Sequence, residues 1–135
     1  MNQRPAICLL NRGAGLLDGL TGLLLILSPG FTFRLMGISF PEDCHVFASY
    51  LGVFVFSVGV AHFLTGKFPV DGAARERWRT IWLVTSIVRL NVAAFVSSQI
   101  ILGGLTPGWA TVAVTDGGVA LLFLSLLKRQ VPAIK

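Results

Sequence analysis

SIVRLNVAAF, Ser86 to Phe95, sets an arginine and an asparagine inside one of the most apolar runs of the chain. An arginine is stable there only if a group of opposite sign meets it, so the search for its partner orders the reading of the rest. The surrounding run, about 80–103, is long enough to cross a bilayer, which takes about 17–25 mostly apolar residues.

The totals point the same way. The 135 residues suffice for one domain, and they are 54% hydrophobic but only 13% charged, with mean hydropathy +0.78. A soluble domain carries about 25% charged residues. The net charge is +5. In a nucleic-acid binder such an excess lies along a polar domain; here it falls between apolar runs and reads as membrane topology, which argues against a nucleic-acid partner.

Three further runs meet the same length test, giving spans at about 6–27, 46–66, 80–103 and 107–127. The expected fold is all-α: a four-helix antiparallel transmembrane bundle in a single integral membrane domain, residues 1–135. The first run carries Asn11, Arg12 and Asp18 and lacks a small-x-small cleavage site, so it reads as a retained span rather than a signal peptide. SPG at 28–30 ends it. SFPE at 39–42 has the pattern of a capping box with Pro41 in the first turn. TPG at 106–108 offers a threonine cap followed by proline. The third helix has the option of an early start at an Asp71 cap, through AARERWR. FTFRLMGI, 31–38, is too short to span and reads as an interfacial loop, or as a lid over a cavity.

Lysine and arginine placement sets the orientation. Arg4 precedes the first span; Lys67, Arg75, Arg77 and Arg79 lie between the second and third; Lys128, Arg129 and Lys135 follow the fourth. Only Arg34 lies on the other side, so both termini and the middle loop are expected in the cytoplasm of a bacterial cell, as a multi-pass inner-membrane protein. Trp78 and Trp82 then fall at the inner boundary and Trp109 at the outer one, where aromatic belts sit.

Counted from the span ends, Asp18, Arg89 and Asp116 share one slab near the midplane, with Arg12 and His62 about 9 Å nearer the cytoplasm. A central arginine costs about 2.5–3.5 kcal/mol on the insertion scale, which the apolar residues of its span just cover. At about 100° per residue, Arg89 shares a face with Trp82, Thr85, Ser86, Ala93 and Ser97. Asp18 shares one with Asn11, Ala14, Gly15 and Gly22, and Asp116 with Trp109, Ala113 and Ala120. Gly52, Gly59 and Gly66 repeat every seven residues beside His62. Small neighbours of this kind permit close helix approach.

The simplest arrangement sets Arg89 between Asp18 and Asp116. Its surplus negative charge is met by Arg12 reaching in, by one carboxyl keeping its proton, or by a bound cation. Two readings stay open: an ionic staple that sets helix register, or a midplane site through which protons or a small solute pass. Asn11 and His62 are candidates for a proton relay or pocket. Asn91 points about 160° away from Arg89, with Val84, Ala94 and Ser98. Either it bonds a backbone locally, or Asn91 and Ser98 mark a face that meets another chain.

Cys8 and Cys44 fall near opposite membrane faces, too far apart to bridge. No cysteine–histidine spacing suggests a metal, and no phosphate loop, nucleophile elbow or zinc-protease motif appears, so no catalytic residue is assigned.

GLLDGLTGLLLILSP, YLGVFVFSVG, VRLNVAAF and DGGVALLFLSLLKR together resemble small four-helix bacterial inner-membrane proteins of the DoxX-like kind. The resemblance implies the four-span architecture. Through relatives described as accessory subunits of quinone-linked oxidoreductases, it also implies a place in a larger membrane complex, with quinone as the one cofactor to consider. The expected role is thus a non-enzymatic accessory or assembly component, alone or as a homo-oligomer. A conduit or a quinone-linked subunit are the alternatives.

Overall fold

The computed structural model describes residues 4–65 and 73–130. Gly66, Lys67, Asp71 and Lys135, which entered the reading above, lie outside them. Five α-helices are present among the described residues: α1 (Arg4–Leu27), α2 (Pro29–Leu35), α3 (His45–Thr65), α4 (Ala73–Ile101) and α5 (Ala110–Gln130). Short 3-10 turns, Glu42–Cys44 and Pro107–Trp109, lead into α3 and α5. Four segments are long and apolar enough to cross a membrane: Ile7–Leu27, Glu42–Thr65, Glu76–Ile101 and Pro107–Arg129. The chain therefore has the make-up of a multi-pass membrane protein.

The described residues fall into two compact units divided between Trp78 and Arg79. In the first, α1 and α3 lie against each other along heptad-spaced positions. Asn11, Gly15, Asp18, Gly22 and Leu25 are buried on α1, and Ala48, Gly52, Gly59 and His62 on α3. Alternating steps of three and four residues keep one face of each helix on its partner. Gly15 faces Gly59 and Gly22 faces Gly52, so the helices run in opposite directions. The approach is backbone to backbone: a Cβ on Gly15 would stand 3.0 Å from the Gly59 carbonyl oxygen, and one on Gly52 2.9 Å from that of Gly22. Ser49 closes one end of the seam by donating from Oγ to the carbonyls of Leu25 (3.2 Å) and Ile26 (3.3 Å).

Residues 31–38, expected as a loop, are mostly helix. Pro29 occupies the first turn of α2, where its missing N–H costs nothing. The Thr32 hydroxyl donates to the Ser28 carbonyl at 2.9 Å. Gly37, at φ +69°, ends the helix, with Ile38 N–H on the Phe33 carbonyl at 2.8 Å and Gly37 N–H on that of Arg34 at 3.1 Å. That pair of bonds is a Schellman close, which needs a left-handed residue that glycine adopts without steric cost. Gly103 (φ +77°) ends α4 in the same way, with Gly104 N–H on the Gln99 carbonyl at 2.8 Å. Phe33 is buried and stacks on Phe40 at 4.3 Å between centroids, so α2 is anchored by its own apolar face.

Other local expectations are corrected. Neither proposed cap forms a side-chain hydrogen bond: the turn before α3 starts at Pro41 rather than Ser39, and Thr106 precedes its proline uncapped. The backbone N–H groups there are taken up by tight 3-10 bonds, such as Cys44 N–H to the Pro41 carbonyl at 3.2 Å. Trp78 and Trp82, read as belt residues, are only 3% and 1% exposed. Both occupy the inward face of α4, so burial and not interfacial anchoring explains them. Cys8 and Cys44 are half-buried, and neither is in a disulfide among the described residues.

A methyl group on the seam should separate α1 from α3, whereas one on an open glycine should not. Gly59→Ala is expected to destabilise the protein by about 1–3 kcal/mol through overpacking. Gly118→Ala, where nothing lies within 4 Å of the added carbon, should stay within about 1 kcal/mol of the parent. Thermal unfolding in detergent micelles, followed by circular dichroism, checks both.

Candidate functional site: buried polar pairs in the spans

The arginine of the opening stretch has a partner. In the second unit, α4 turns its Trp82, Thr85, Ser86, Arg89 and Val96 side chains inward. The guanidinium of Arg89 donates from Nη1 to Oδ1 of Asp116 on α5, forming an ion pair. The side chains of the pair are 9% and 20% exposed. One heptad away on both helices, Trp82 stacks on Phe123 with centroids 4.7 Å apart and planes 4° from parallel. Residue 82 lies by 123 and residue 89 by 116, so α4 and α5 are antiparallel and their register is fixed at two points.

Sequence reading could not foresee the aromatic stack, because Phe123 stands among several equally apolar residues. Of the nearby hydroxyls, that of Thr85 turns back onto its own helix. Thr85 Oγ1 donates to the Ile81 carbonyl at 2.7 Å. Back-bonding of this kind satisfies a threonine without a neighbour. Ser97, placed on the Arg89 face, is exposed; the face diverges from the interior toward the helix end.

The first unit holds a second buried pair. Asn11 and His62 are both 0% exposed. Nδ1–H of His62 donates to Oδ1 of Asn11 at 3.2 Å. The bond continues the glycine seam, since residue 11 faces 62 just as 15 faces 59. It draws the imidazole onto the α1 face and sets its tautomer, with the proton on Nδ1. Thr65, a turn beyond, is also buried and donates to the Ala61 carbonyl at 2.5 Å.

Asp18 is buried, at 6% exposure, on the same stripe of α1 as Asn11. Arg12, offered as a fourth member of the cluster, is exposed; its long stem lets the charged end leave the apolar interior. Asn91 and Ser98 are exposed as well. Ser98 bonds the Phe95 carbonyl of its own helix at 2.7 Å.

An open apolar groove of about 300 Å³ runs along the α1–α3 pair, with Gly15, Gly19 and Gly59 as its floor and leucine and phenylalanine walls. No polar side chain lines it, and neither His62 nor any residue of α2 borders it. A quinone there would find no side-chain donor for its carbonyl oxygens. No group of three metal-ligating side chains occurs among the described residues.

A carboxylate in direct contact with a guanidinium is neutralised as a pair. Removing one partner leaves an uncompensated charge, which costs about 3–5 kcal/mol at buried sites. Asp116→Ala should therefore lower stability by about 3 kcal/mol. The double variant Arg89→Met/Asp116→Leu should recover most of that loss. A double-mutant cycle read by unfolding in lipid-like micelles should give a coupling above about 1 kcal/mol.

Comparison with known proteins returned no matching family model, no matching curated protein and no matching solved structure; the conclusions about this chain rest on its own residues.

Proposed function

We propose that the chain is a non-enzymatic integral membrane protein that serves as an accessory or assembly component, its interior held by matched polar pairs rather than by traffic through them. It threads the membrane four times as an antiparallel helical bundle. In this reading both termini lie on the cytoplasmic side of a bacterial inner membrane, an orientation that the lysine and arginine distribution supports. The direct Arg89–Asp116 pair carries the reading: the one cation at the centre of α4 is engaged by a carboxylate of the next helix, which is what a register staple needs. The exposed surface supports the setting. Leu16, Phe54, Leu83, Ile87, Phe95 and Val114 are among the large apolar side chains turned outward, while Asn11, His62 and Arg89 are turned inward. Polar in and apolar out suits lipid as the surrounding solvent.

The competing reading is a conduit for protons or a small solute. It draws on Asp18 and His62, both buried and both titratable. Vesicle reconstitution separates the two. With a staple, wild-type vesicles carrying an internal pH dye should dissipate an imposed gradient no faster than empty ones. Asp18→Asn, Arg89→Gln and Asp116→Asn should change stability alone. Wild-type flux that disappears in stable Asp18→Asn or Asp116→Asn variants would overturn the staple in favour of the conduit.

A further inference from the structure

Asn91 and Arg89 stand two residues apart near the middle of the same span, yet the structure treats them differently. Arg89 is buried against Asp116. Asn91 is exposed, and among the described residues its carboxamide makes no hydrogen bond. The local backbone bond that the sequence allowed is therefore not formed. Hydrocarbon supplies neither donors nor acceptors, so an amide facing it needs a partner beyond its own α4–α5 pair.

The neighbours of Asn91 define the surface. Thr80, Val84, Ile87, Asn91, Ala94 and Ser98 are all exposed. They follow one another in steps of four, three, four, three and four, the a/d spacing of a helix seam. β-Branched Val84 and Ile87 precede the amide, and small Ala94 and Ser98 follow it. Asn91 occupies an a position, where a single asparagine specifies register and oligomeric state in coiled coils.

We propose that this face of α4 is the contact between two copies of the chain, related by a two-fold axis along the membrane normal, with the Asn91 carboxamides hydrogen-bonded to each other across the axis. The inference rests on the membrane embedding proposed above. Two copies inserted with the same topology present their α4 helices in parallel, so Asn91 meets Asn91 at the same depth. A carboxamide is donor and acceptor at once, so two identical ones satisfy each other, as an isologous contact demands. A bound lipid tail would leave the amide unmatched.

The test uses the full chain in lipid vesicles. Copies labelled with donor and acceptor dyes are diluted with lipid, and energy transfer is followed. Wild type should show transfer that declines on dilution. Asn91→Leu should move the midpoint about tenfold toward higher protein density, the size of one interhelical hydrogen bond. Asn91→Gln should restore much of the loss. Independently, in a Cys8→Ser/Cys44→Ser background, Val84→Cys and Ser98→Cys should each give disulfide-linked dimers. Leu121→Cys, exposed on α5, should not. Absence of transfer in wild type at every density, an unmoved midpoint in Asn91→Leu, or linkage at 121 in place of 84 and 98 would overturn the proposal. A chain that fails to float with the vesicles overturns the embedding and the pairing together. One that floats as a monomer overturns the pairing alone.

Discussion

A guanidinium set in the middle of an apolar helix dictates how the α4–α5 hairpin is built. Lipid cannot solvate it, and the side chain leaves too far from either end to reach water easily, so the next helix must bring a carboxylate to the same depth. Asp116 does so. Because Trp82 and Phe123 lie one heptad from the ion pair on their respective helices and also meet, a slip by one turn would break both contacts at once. The charge pair makes mispairing costly, and the aromatic stack supplies dispersion and shape that a charge pair lacks. Neither contact alone fixes both depth and rotation.

The α1–α3 hairpin solves the same problem by other means. At the centre of its seam Gly15, Gly22, Gly52 and Gly59 bring backbone onto backbone, with Asp18 buried on the same stripe. In lipid the hydrophobic effect gives helices no reason to associate, so close van der Waals packing has to supply the attraction. Polar contacts sit toward the two ends of the seam: Asn11 with His62, and Ser49 with the Leu25 and Ile26 carbonyls. Directional bonds at both ends oppose sliding and rotation, while the glycines between them set the distance. A mutation at either class of position is felt differently: a methyl at a glycine forces separation, whereas loss of an end bond leaves a polar atom buried without separating the helices.

Much of this was legible in the residues, because lipid imposes simple rules. Span lengths followed from hydropathy alone, and the small-residue stripes of α1 and α3 identified the faces that pack. Depth counting brought Arg89 level with Asp116 and Asp18, and Arg12 level with His62, although it is the neighbouring Asn11 that meets the histidine. Which stripe meets which was not legible, since all four spans carry one and each stripe permits close approach. Helix 29–35 was not legible because SPG at 28–30 reads as the end of the first span and 31–38 is too short to cross. Seven residues are too few for a periodicity to stand out. The buried tryptophans were misjudged because composition gives depth but not direction: Trp82 can sit at an interface or inside a hairpin, and only its rotation relative to Arg89, on the same stripe, favoured the inside.

That rotation also separates the two polar residues of α4 by purpose. A helix in a small hairpin has one face for its partner, and Arg89 occupies it. A second polar residue on the opposite face adds nothing to the hairpin and adds a cost to a lone chain in lipid. Such a residue is compatible with a stable fold only if that cost is offset where the chain meets another molecule. The interior pairs join neighbouring helices, and the lining of the apolar groove has no polar side chain. The pairing proposed for this protein is carried on its outer surface, at Asn91, and draws on none of the interior contacts.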